Sequence, residues 1–156
     1  MPTAAALSQS YTRLERQLFQ IAEEMPEDKY CFKPFPGVRT FGEQLRHIAA
    51  VQWVIAAGIL GMKVPVDVGD GDSGPILMTG KQEILKYARD SFTYMLRAIL
   101  TTDDRNHLEL IPHPFDPENR RIERLTLIAA YASHGWNHYG QMVVYARMNG
   151  IIPPAP

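Results

Sequence analysis

The chain has 156 residues, a formal net charge of -1, and 46% hydrophobic against 21% charged residues, the size and balance of one globular domain over residues 1–156. A charge so close to zero excludes binding to nucleic acid through a broad basic face, so no nucleic-acid partner is expected. The single cysteine, Cys31, excludes an intramolecular disulfide and a zinc cage built of thiolates.

Residues 1–10 lack the basic start and apolar stretch of a signal peptide. The longest apolar-rich run, residues 48–60, is broken by Gln52 and is too short for a bilayer. The expectation is a cytoplasmic protein with no membrane partner.

Four stretches carry helical periodicity, in an all-α four-helix bundle with long inter-helix connections. The first covers residues 4–25, where Leu7, Tyr11, Leu14, Leu18 and Ile21 recur at spacings of three and four, and Pro26 stops it. The second opens at Thr40, whose hydroxyl and the Glu43 carboxylate three residues on have the pattern of a capping box. Phe41, Leu45, Ile48, Gln52, Ile55 and Ile59 then mark its inner face, and Gly61 suits its end.

The third opens at Thr79 with a similar Thr-x-x-Gln pattern ending at Gln82, followed by Ile84, Leu85, Ala88, Phe92, Met95, Leu96 and Ile99; residues 101–104 end it. The fourth runs over residues 122–149, with Gly150 just past its end and Pro153 and Pro154 beyond. No stretch alternates with period two, so no substantial sheet is expected. The connections, roughly residues 26–39, 63–78 and 103–121, are longer than an up-and-down bundle needs, which allows crossovers between helices. Glycines at 69, 71 and 74 should make the middle one mobile, and Pro112, Pro114 and Pro117 should stiffen the last.

His134 and His138 stand four apart on the fourth helix, which puts both imidazoles on one face, one turn apart, where they can share a metal ion. Five histidines in a chain of this length produce such a pair by chance often enough that the spacing alone is a weak signal. The surroundings strengthen it. Leu127, Tyr131, Gln141 and Tyr145 lie on the same face, so the pair should point into the bundle, where buried neutral imidazoles need partners. His47, two turns into the second helix, reads alone as a core histidine with a satisfied ring; it becomes the third ligand if the second and fourth helices pack together.

Three segments resemble a known family. They are Val38-Arg39-Thr40-Phe41-Gly42-Glu43-Gln44-Leu45-Arg46-His47-Ile48-Ala49, then His134-Gly135-Trp136-Asn137-His138-Tyr139-Gly140-Gln141, and the ending Tyr145-Ala146-Arg147-Met148-Asn149-Gly150-Ile151-Ile152-Pro153-Pro154. Together they resemble the DinB-like (DinB/YfiT) superfamily. The segment from Met25 to Tyr30 and Pro36-Gly37 also look like it.

The resemblance implies a four-helix bundle, often a homodimer, with a three-histidine metal site at one end, and carries the ligands onto His47, His134 and His138. Relatives of known chemistry include thiol-dependent S-transferases and isomerases that use low-molecular-weight thiols. The family name refers to induction by DNA damage and says nothing of DNA binding.

Three imidazoles leave at least one metal position open, the layout of a catalytic site. The donor set suits Zn or Ni foremost, with Fe or Cu as further choices. The expected function is a divalent-metal-dependent enzyme, with S-transfer from a low-molecular-weight thiol to a small electrophile as the reaction. A non-catalytic metal- or small-molecule-binding bundle is the alternative, and a dimer whose histidines only satisfy one another is a third reading. Glu43, one turn before His47, is the one weak candidate for moving protons, and capping competes for its carboxylate. Gln44 and Gln141 are candidate hydrogen-bond donors around the metal ligands. Tyr131 and Tyr145 read as packing with a hydrogen-bonded tip, Trp53 and Trp136 as packing or a dimer face, and Met142 and Met148 as gap fillers in the core or at an interface. His107, His113, Asp116 and Glu118 read as loop residues that could reach a substrate.

Overall fold

The computed structural model describes residues 2–153, with side chains from residue 4 onward, so Pro154 lies outside the described residues. Helix α1 (Pro2–Glu24) is followed by a 3-10 turn (Glu27–Lys29), α2 (Phe41–Leu60), α3 (Lys81–Leu100), strands β1 (Leu110–Pro112) and β2 (Arg121–Glu123), and α4 (Arg124–Met148). Among the described residues no helix is long and apolar enough to cross a membrane.

Each helix packs against two others: α1 and α2 both touch α3 and α4, while α1–α2 and α3–α4 barely meet. The order around the bundle is therefore α1–α3–α2–α4, and two of the three connections cross its diagonal. This explains why they are long. It also sets α4 beside α2. The helix α2 is buried nearly all round and forms the middle of the core. Its first turn is held by the preceding connection: Phe41 N donates to Phe32 O at 2.9 Å and Gly42 N to Tyr30 O at 2.9 Å, which satisfies two helix-terminal donors. Phe41 is fully buried, edge-on to Tyr30. Burying such a ring contributes about 1.5–3 kcal/mol.

The capping box of α2 is present in both directions, with Thr40 N donating to Glu43 Oε2 at 2.7 Å and Glu43 N to Thr40 Oγ1 at 3.2 Å. Gly61 ends α2 in the left-handed region at φ +66°, as its place in the sequence predicts. Two expectations change. The cap of α3 is Gly80, with no side-chain cap, instead of Thr79; the helix start is tied down by Lys81, whose ammonium donates to the carbonyls of Glu23 and Met25, each at 2.7 Å. Residues 122 and 123, expected in the fourth helix, instead belong with Arg121 to β2, which pairs antiparallel with β1, Ile111 opposite Ile122. Three-residue strands are too short for alternation to register in the sequence.

Candidate metal centre

His47 faces α4 because Gln44, His47 and Val51 share the stripe of α2 that meets it. On α4, Leu127, Tyr131, His138 and Tyr145 are buried and His134 and Gln141 half-buried, so the predicted face does point inward. Tyr131 ties it to α2, and Tyr145 ties it to the connection that leads into α2. Tyr131 Oη donates to Ile48 O at 3.0 Å, and Tyr145 Oη donates to Arg39 O at 2.9 Å. Gly135, between the two histidines of α4, lets α1 close in: a Cβ there would run into the Leu14 side chain.

The structure brings His47, His134 and His138 together. One ring nitrogen from each lies within 4.8 Å of the other two, and ring centroids are 4.4–5.0 Å apart. His47 Nε2 is 3.0 Å from His134 Nε2. Two nitrogens bound to one ion at 2.0–2.1 Å would be about 2.9 Å apart at a right angle and about 3.3 Å apart at a tetrahedral one, so the spacing fits shared coordination.

Orientation comes from outside the cluster. His47 Nδ1–H donates to Asp72 O at 2.7 Å, which leaves the Nε2 lone pair facing inward. His138 Nδ1–H donates to Gln44 Oε1 at 2.7 Å. The Gln44 amide is oriented in turn: its Nε2 donates to Gln141 Oε1 at 3.0 Å, and Gln141 Nε2 donates to Asn137 Oδ1 at 3.1 Å. Gln44, expected as a donor, instead accepts from His138, and Gln141 bonds Gln44 and Asn137 and no histidine. His134 is stacked on Tyr131, with centroids 5.3 Å apart, and its Nδ1 is buried with no hydrogen-bond partner.

All three imidazoles are held neutral. Burial pushes His134 down to about 4, helped by His47 and Arg39 and opposed by Asp72. Burial pushes His138 down to about 3, helped by the other two histidines and Arg39. His47 is lowered by burial against the raising pull of the Asp72 carbonyl. Neutral imidazoles are the form a divalent ion requires, and without an ion the 3.0 Å contact is a hydrogen bond in which His134 Nε2–H donates to His47 Nε2.

The other candidates lie elsewhere. Glu43 is exposed, its carboxylate engaged in the α2 cap and held below its ordinary range by the Thr40 N–H, and it is absent from the converging group. His107 Nδ1 is 3.3 Å from Asp103 O, and His113 Nδ1 accepts from Phe115 N at 3.2 Å. Asp116 is bound to Arg120. Asp72 was not among the candidates: it touches His47 through its carbonyl, and its carboxylate stands 3.7 Å from His47 Nδ1 and 3.9 Å from Arg39 Nη2. A main-chain contact has no residue-type signature; the glycine-rich sequence around it was the available signal.

The fold has known counterparts. A DinB-like protein from Bacillus cereus superposes with a TM-score of 0.78 at 21% identity, covering 96% of this chain and 95% of that one. A DinB-like protein from Bacillus subtilis gives 0.74 at 16% identity, covering 96% of each. A conserved protein from Enterococcus faecalis gives 0.76 at 13%, covering 95% of this chain and 97% of its own. At these identities the likeness shows the fold. No protein of curated function matches the sequence. The sequence model of the DinB superfamily, however, matches residues 10–142, a span that includes all three converging histidines, and the chain belongs to that superfamily.

Proposed function

We propose that the protein is a divalent-metal-dependent enzyme with the metal on His47, His134 and His138, and that it transfers a low-molecular-weight thiol to a small electrophile. The observation that carries the metal reading is the convergence of three neutral imidazoles, two of them fixed by a partner on the far ring nitrogen. Zn or Ni suits the donor set best, and Fe or Cu is also compatible. The bound ion would lower the pKa of a thiol or water in an open position and so make a nucleophile available at neutral pH. The chain itself supplies the histidine lone pairs, the Asp72 and Gln44 acceptors that orient them, and a buried setting. The thiol reaction rests on family resemblance, as does action as a homodimer on a small-molecule substrate.

One observation favours the non-catalytic alternative: among the described residues no carboxylate joins the three converging ring nitrogens, the Asp72 carboxylate standing 3.7 Å from the far nitrogen of His47, and Glu43 is committed to the helix cap. The test is elemental mass spectrometry on protein purified without a histidine tag, beside a His134→Ala, His138→Ala double variant, followed by a thiol and electrophile screen. Near one metal per chain, lost in the variant, supports the site. No metal after reconstitution with Zn and Ni sinks it, and a loaded protein without turnover favours the binding role.

A further inference from the structure

The connection between α2 and α3 reaches back over the histidine centre, and its attachment is unusual. Arg46, the residue before His47, is buried. Its donors go to main-chain carbonyls of that one connection: Nε to Ser73 O at 2.9 Å, Nη1 to Met78 O at 2.8 Å and to Ile76 O at 3.3 Å. Burying a charge this way is costly, and only a guanidinium has a fork of donors able to satisfy several carbonyls together.

Consecutive side chains of α2 therefore grip consecutive carbonyls of the connection: Arg46 takes Ser73 O and His47 takes Asp72 O. The backbone is shaped for this contact. Gly74 sits at φ +71°, and a Cβ there would run into Arg46 Cγ. Gly74 N donates to Val68 O at 3.0 Å, and Tyr87 Oη on α3 donates to Asp67 O at 2.9 Å, which fastens the near end.

We propose that Arg46 is a positioning residue of the metal centre. By clamping residues 73–78 to α2 it keeps the Asp72 carbonyl on His47 Nδ1, which fixes the tautomer that offers Nε2 to the metal. This rests on the metal reading above. The acting group on the connection is the main chain, so the Asp72 carboxylate is not what holds His47.

The test measures Zn affinity by competition with a chromophoric chelator for the parent, Arg46→Met, Arg46→Lys, Gly74→Ala and Asp72→Ala. The His47 Nδ1–H proton is followed by NMR in the Zn-loaded proteins. Loss of a partner that orients a ligand typically costs about 10- to 100-fold in metal affinity. That loss is expected for Arg46→Met, together with disappearance of the Nδ1–H signal into solvent exchange, and Arg46→Lys should recover only part of it. Gly74→Ala, which prises the connection away and leaves the guanidinium intact, should lose affinity and signal in the same way, and it carries the test if Arg46→Met fails to fold. Asp72→Ala should fall well short of this loss. Parent affinity in a folded Arg46→Met, or an equal loss in Asp72→Ala, overturns the proposal. A parent that binds no Zn overturns the metal reading instead.

Discussion

His138 is useful as a ligand only while its Nδ1–H has somewhere to go, and Gln44 provides the place at 2.7 Å. The amide is held in that sense because its other end donates to Gln141. Gln44→Ala should therefore leave one binding site per chain but weaken Zn by about 10- to 100-fold, measured by chelator competition. An unaltered affinity would mean that packing alone orients the ring. His134 has no such partner on Nδ1 and depends on its stack against Tyr131.

At the scale of the element, the start of α2 decides where His47 stands, two turns further on. The Thr40–Glu43 box holds that start, and a lost cap costs about 1 kcal/mol. The Thr40 N–H stabilises the ionised Glu43 carboxylate and lowers its pKa from 4.5. A folded value below the unfolded one means stability that is fully present above about pH 4.5 and is lost as the pH falls through the depressed value. Thermal melts of Glu43→Ala against the parent should therefore differ at pH 7 and converge as the pH falls through the depressed Glu43 value. A pH-independent difference would show that the carboxylate charge is not involved. Because Glu43 is exposed and spent on this cap, its first-turn position carries a structural task.

At the scale of the whole molecule, the three histidines join α2 to α4, so an ion held there would tie two helices that are far apart in the chain. Binding to the folded state alone stabilises it by about 4 kcal/mol at a thousandfold excess over Kd. The parent should melt several degrees higher with Zn, and His47→Ala should lose most of that gain although the pair on α4 remains. An equal rise in His47→Ala would restrict the site to α4.

The local features of this protein are legible along the chain. A helix repeats every 3.6 residues, so His134 and His138 share a face by their spacing alone, and the burial of Leu127, Tyr131 and Tyr145 follows the same stripe. The Thr40 cap and the Gly61 stop depend on neighbours three or four residues away, and both are present. The short β1–β2 pair and the Gly80 start of α3 depend on distant partners, Ile111 for Ile122 and the end of α1 for Lys81, and so escape a local reading. His47 as the third member, and the placing of Asp72 and Arg46, required the order α1–α3–α2–α4. That order is the outcome of burial summed over four helices, and no single segment of sequence contains it.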